Sequence, residues 1–128
     1  MTLNILKIGG GAGIDHSAAL EDIARRVQNG ERWIVVHGCS DEANRLGEEL
    51  GHPAQTITSP GGHTSRYNDA RTIEIFTTAA GNVNGSIRDI LQSLGASPTG
   101  LIGGVISGQR KPAIRAIRNG RPIIIRDD

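Results

Sequence analysis

Apolar and polar positions fall into short blocks whose period changes along the chain. Ile5-Leu6-Lys7-Ile8 is a brief apolar run that breaks into Gly9-Gly10-Gly11, which predicts a strand delivering the chain to a glycine turn. From Ser17 to Gln28 the apolar residues Ala18, Ala19, Ile23, Ala24 and Val27 recur at helical spacing, and Asn29-Gly30 supplies a left-handed stop. Trp33-Ile34-Val35-Val36 then reads as a strand buried on both faces, as parallel strands are. It leads to a second turn, His37-Gly38-Cys39-Ser40, and a helix over 42–50 capped by Ser40 or Asp41. Strand, glycine turn and helix thus occur twice, the start of a β-α-β-α unit with parallel strands.

The rhythm breaks after Pro53. Residues 55–67, with Ser59-Pro60-Gly61-Gly62 in their middle, predict a hairpin or lid. Two amphipathic helices are expected over 69–80 and 83–94, separated at Gly81. The first turns Ile73, Phe76, Thr77 and Ala80 inward and leaves Ile75 and Thr78 exposed as a self-association surface. Leu101-Ile102-Gly103-Gly104-Val105-Ile106 reads as a further buried strand. Runs over 113–117 and 122–126 flank Asn119-Gly120, a strong hairpin signal. The expected fold is an α/β, three-layer open sheet, mainly parallel, with helices on both faces and an added β-hairpin.

Composition narrows the classes. The 128 residues suit one domain, and a net charge of +1 argues against an electrostatic nucleic-acid binder. Three aromatic residues, Trp33, Tyr67 and Phe76, provide no stacking platform for single strands. Cys39 is the single cysteine, which excludes an internal disulfide and fits a reducing cytosol. Neither a signal-peptide pattern nor a run of membrane-spanning length is present, so a cytoplasmic location is expected. No two of the four histidines have the spacing of a metal pair.

The candidate chemistry lies at the glycine turns. Glycines without Cβ atoms let backbone N–H groups face an anion, and a helix starting near Asp15 or Ser17 aims its positive end at the same space. Lys7, a compact ammonium at the mouth of that loop, suits a phosphoryl group. The order is not that of a Walker loop, where the lysine follows the glycines. A strand with a flexible turn and Lys7 merely at its edge is the plainer alternative.

Several short motifs occur in one order: Lys7-Ile8-Gly9-Gly10, Val36-His37-Gly38, Gly62 through Arg66 to Asp69, Glu74-Ile75-Phe76, Gly81-Asn82-Val83-Asn84 and Gly100-Leu101. Together they resemble the amino-acid kinase family, within it the acetylglutamate kinase and carrier-protein-linked aminoadipate (or glutamate) kinase branch. Gly51-His52-Pro53 and Pro60-Gly61-Gly62-His63-Thr64-Ser65-Arg66 favour the carrier-linked members. The resemblance covers the N-terminal, substrate-binding half of that fold and implies that the nucleotide-binding C-terminal lobe lies outside 1–128. It implies transfer of the γ-phosphoryl of ATP, with Mg2+, to the side-chain carboxylate of an N-acylated glutamate or aminoadipate, in arginine or lysine biosynthesis. Lys7 would contact the moving phosphoryl group, and the amides of Gly9, Gly10, Gly11 and Gly38 would line its path. Arg66 would hold the substrate's α-carboxylate, with Gly38 and Cys39 beside it. A homodimer through residues 69–94 is also implied.

Three departures from the family pattern bear on activity. Cys39 stands where a second glycine is usual, so a Cβ and a strained positive φ are expected there. A few residues, including an acidic one, are missing after Gly100-Leu101. The parts that bind adenine and supply a second phosphate-facing lysine have no counterpart, and Lys111 lies too far along to serve. The isolated chain is therefore expected to be inactive alone, with a non-catalytic dimeric scaffold derived from the fold as the alternative. Arg110, Lys111, Arg115, Arg118 and Arg121 gather around the last hairpin and would suit an acidic carrier, or form an ordinary solvated face.

Overall fold

Strand β1 (Leu3–Ile8) pairs in parallel with β2 (Arg32–His37), in register from Leu3 opposite Arg32 to Ile8 opposite His37. The computed structural model describes residues 2–109 and 113–126. Parallel neighbours need a crossover, and α1 (Ser17–Gln28) supplies it. The Asp15 carboxylate accepts the Ser17 N–H at 2.9 Å as the helix begins, and Gly30 takes a left-handed φ of 88° just beyond its end. On one face of the strand pair, Leu6, Ile8, Trp33 and Val35 pack with Leu20, Ile23 and Ala24 of α1. The other face is open: Leu3, Ile5, Ile34 and Val36 are 45–67% exposed. Burial of β2 on both faces, expected from its apolar run, does not occur in this chain.

Helix α2 (Ser40–Glu49) follows β2 directly, with Cys39 at its N-cap. Cys39 has φ −145°. The φ is negative, so the left-handed strain expected at this position is absent. Gly51, at φ 68°, ends the helix region.

The lid hairpin forms as β3 (Thr56–Thr58) and β4 (Thr64–Arg66), and the second hairpin as β5 (Ile114–Arg118) and β6 (Arg121–Ile125). Asn119 and Gly120 both have positive φ, 51° and 73°. This is the primed-turn geometry that matches strand twist. The two hairpins join through Thr58 opposite Ile117 into one antiparallel sheet, ordered β4-β3-β5-β6. It has its own small core of Ile57, Ala116 and Ile125.

Helix α3 (Ala70–Ser93) is unbroken through Gly81 and Gly85, where two helices were expected. Asp69 caps it, accepting the Thr72 N–H at 2.7 Å. Its buried stripe is Thr72, Ile75, Ala79, Ile87 and Leu91. The inward face of its first half is therefore rotated from the expected one: Ile75 is 4% exposed and Ile73 50%. Ile87 and Leu91 complete the core under the parallel pair, while Ala79 packs with Cys39 and Ala43.

The strand expected over 101–106 is not formed. Gly103 and Gly104 both have left-handed φ, 63° and 65°, which extended backbone does not tolerate. Leu101, Val105 and Ile106 are exposed. The described residues thus form a mixed α/β structure with a parallel pair, an antiparallel sheet and three helices. Among the described residues no helix is long and apolar enough to cross a membrane.

Candidate functional site

The glycine turns after β1 and β2 lie back to back at the carboxyl ends of the parallel strands, the edge where ligands bind in open α/β sheets. A Cβ built on Gly10 would fall onto the Cys39 nitrogen and the Gly38 carbonyl carbon, and 2.7 Å from Gly38 Cα. One on Gly38 would stand 2.7 Å from the Gly10 nitrogen. Only two glycines allow the backbones to meet in this way. Hydrogen bonds fix the seat. Gly38 N–H donates to the Ile8 carbonyl at 3.0 Å, and Asp41 N–H to the Gly10 carbonyl at 2.7 Å. His16 Nε2 reaches the Gly9 carbonyl at 3.2 Å. The amides of Gly9, Gly10 and Gly11 have no acceptor among the described residues, whereas that of Gly38 is committed to Ile8. Three donors with no partner in a turn between helix N-termini can receive an anion.

Lys7 lies on the exposed side of β1, opposite Val36, and makes no hydrogen bond or ion pair with any described residue. Its ammonium stays available for a ligand. Arg66, at the end of β4, does not extend into solvent as a plain lid arginine would. Its Nη2 donates to Asn44 Oδ1 at 2.6 Å and to the Ser40 carbonyl at 3.3 Å, and its guanidinium stands 5.8 Å from the centre of the Phe76 ring. The lid is thereby brought to the first turn of α2, directly after the second glycine turn. No contact joins Lys7 to Arg66 among the described residues.

The Cys39 side chain points away from the turns. It is 3% exposed, packed with Ala43 and Ala79, and its Sγ lies 3.9 Å from the Phe76 carbonyl. Burial pushes its thiol pKa up, against a smaller downward pull from Arg66. The thiol therefore does not narrow the space before Gly10 and Gly38, as its sequence position had suggested.

Three polar partners escaped the sequence pattern because each depends on a contact between distant elements. Asn44, one turn into α2, holds Arg66. Glu42 is drawn down to a pKa of about 2, first by its hydrogen bond from Arg45 and then by that from Asn82, although burial opposes it. Asn84 reaches His37 Nε2 at 3.1 Å. Its motif is legible in the sequence, but no role could be read there. His37 also contacts the Gly38 carbonyl through Nδ1 at 3.3 Å. His52 is half-buried against Asp69 and Thr72, each 3.2 Å from Nε2. Asp69 is held below its ordinary pKa, chiefly by the Thr72 N–H and further by His52. Among the described residues no group of three or more His, Cys, Asp or Glu is placed to hold a metal ion. Of the basic cluster, Arg110 and Lys111 lie outside the described residues. Arg118 is engaged by Gln55 and stands over Tyr67, while Arg115 and Arg121 are exposed.

No protein-family model matches the chain. Individual proteins do. The chain is 42% identical over 128 residues to a LysW-aminoadipate kinase of Deinococcus radiodurans, a match covering 97% of this chain and 44% of that protein. It is 38% identical to a LysW-aminoadipate kinase of Thermus thermophilus, covering 97% of this chain and 48% of the relative. The chain therefore spans about half the length of the curated relatives it matches.

Proposed function

We propose, from its 42% and 38% identity to about half of two LysW-aminoadipate kinases, that this chain is the substrate-holding half of a carboxylate kinase. Its acceptor is the side-chain carboxylate of an N-acylated acidic amino acid, aminoadipate or glutamate, presented on a carrier protein. The observation that carries this reading is the seat of Gly10 on Gly38, with the Gly9, Gly10 and Gly11 amides left without acceptors.

Phosphoryl transfer asks a protein for positioning and charge compensation rather than covalent chemistry. In this reading the three glycine amides receive the phosphoryl oxygens, and Lys7 neutralises the charge that builds between donor and acceptor. Gly38 contributes close approach rather than a hydrogen bond. Arg66 exchanges Asn44 for the substrate's α-carboxylate, which a planar guanidinium grips through paired donors. ATP is the co-substrate, bound by the further half that the relatives possess, and we assign Mg2+ no ligand in this chain. Alone, the chain binds substrate and does not turn it over. The exposed Arg115 and Arg121 suit an acidic carrier, and the Ile73 side of α3 is the face on which two copies would pair.

Calorimetric titration of the chain with acetylglutamate, acetylaminoadipate and, separately, MgATP tests the proposal. An acylated amino acid should bind, nucleotide should not, and Arg66→Ala should abolish the signal. Silence toward every acyl ligand would refute the reading in favour of a non-catalytic scaffold. Binding that Arg66→Ala leaves unchanged would remove Arg66 from the site.

A further inference from the structure

We infer that Asn84 is a positioning residue: through His37 it fixes the peptide that faces Gly10, and so sets the shape of the glycine-turn site. The inference rests on the phosphoryl reading only for what the site binds. Its basis is a chain of contacts running from α3 to the turn. Asn84 Nδ2 stands 3.1 Å from His37 Nε2, and His37 Nδ1 stands 3.3 Å from the Gly38 carbonyl. A carbonyl can only accept, so Nδ1 must carry the proton. In neutral imidazole Nε2 is then an acceptor, which requires the donor end of the Asn84 amide. One tautomer and one amide orientation satisfy both contacts.

The neighbours make this arrangement stiff. Asn84 is crowded from the far side by Gly100, where a Cβ would collide with Asn84 Oδ1 and stand 2.7 Å from Arg88 Cδ. The Gly38 peptide is held at its other end by the Ile8 carbonyl, and the next helical turn by Ala43 N–H on the Cys39 carbonyl at 2.9 Å. Three carbonyls around the site are thus drawn off by donors: Gly9 by His16, Gly10 by Asp41, Gly38 by His37. With those lone pairs occupied, amide donors dominate the space before the turns, as an anion requires. Loss of the Asn84 contact would free the His37 ring to turn and release the Gly38 carbonyl into that space.

The test is nitrogen-15 NMR of the full chain with labelled histidine, on the alkaline side of the usual histidine range. His37 in the wild-type chain should be the Nδ1–H tautomer, a measurement that needs no variant. Asn84→Asp, which has the same shape and no donor, should convert it to the Nε2–H form and displace the Gly38 and Cys39 amide signals. Titration with inorganic phosphate should move the Gly9, Gly10 and Gly11 amides. That affinity should fall about fivefold in Asn84→Asp, the worth of one ordinary hydrogen bond. Adding His37→Asn, whose side-chain amide sits where Nδ1 does, should restore it. An Nε2–H tautomer in the wild-type chain, or a tautomer indifferent to Asn84→Asp, would overturn the inference. Phosphate that leaves the glycine amides unmoved while the tautomer responds as expected would uphold the relay and sink the phosphoryl reading.

Discussion

Replacing Gly10 with alanine adds one methyl group where two backbones touch. Ordinary contact for a Cβ begins near 3.4 Å, yet even the third-nearest atom, Gly38 Cα, would lie at 2.7 Å. No rotamer relieves this, because the obstructing atoms belong to backbone held by Gly38 N–H on Ile8 and Asp41 N–H on Gly10. The two turns must separate, straining those bonds. Overpacking of this kind costs about 3 kcal/mol, a large share of the roughly 5–15 kcal/mol that holds a domain together. For a chain of this length the thermal midpoint should drop by roughly 10 °C. Gly11→Ala is the matched control. Its Cβ would meet only Ile14 Cδ1, at 3.9 Å, so stability should stay within about 0.5 kcal/mol of wild type. Gly38→Ala presses on the same contact from the other side, so the double variant should lose less than the sum of the two single losses. Urea and thermal unfolding followed by circular dichroism would measure the four variants against wild type. Equal midpoints for Gly10→Ala and Gly11→Ala would refute the back-to-back seat.

Acid should weaken the fold through Glu42. Its folded pKa of about 2 lies below the ordinary 4.5, so its contribution is complete above the ordinary value and is lost as pH falls from there toward about 2. Urea midpoints across that window should fall less steeply for Glu42→Gln than for wild type, while Asp22 and Asp69, also held low, keep the slope from vanishing. The Cys39 thiol, buried and raised in pKa, should resist a thiol reagent in the native chain and react on unfolding. Rapid native labelling would show that α2 does not seat against α3 as described. Gly85→Ala places a Cβ in open space inside α3 and should stabilise by up to about 1 kcal/mol, read as a raised urea midpoint. A lowered midpoint would place an unseen neighbour at that face.

What the sequence made legible was mostly local. The glycine turn after β1, the parallel pair, the Asn119-Gly120 turn and the Asn29-Gly30 stop each follow from a few adjacent residues. Gly81 misled because a glycine weakens a helix by only about 1 kcal/mol, and burial of Ala79 on one side and Ile87 on the other outweighs that. The first half of α3 was phased one residue off because Thr72, whose hydroxyl is satisfied by His52, is buried where an apolar residue was sought. Residues 101–106 have a strand's composition, but their paired glycines take left-handed angles. At the site, residue types marked Lys7, Arg66 and the glycines. Nothing in the spacing could reveal that Arg66 would meet Asn44, or Asn84 meet His37, since those pairs lie 22 and 47 positions apart. Cys39 shows the opposite error. Its position in the motif suggested a strained residue at the turn, whereas its φ is negative and its thiol is buried against Ala43 and Ala79.

The uncovered side of the parallel pair has a colloidal consequence. Leu3, Ile5, Ile34 and Val36 present an apolar surface on a chain with a net charge of +1 and an isoelectric point near 8.0. Charge repulsion is what keeps such surfaces apart in solution, and near neutrality this chain has almost none. Concentrated samples should cloud near pH 8, at the isoelectric point, and clear at pH values well away from it. A partner polypeptide that screens the strand pair would remove that sensitivity, and the width of the clouding range would report how much of the face it covers.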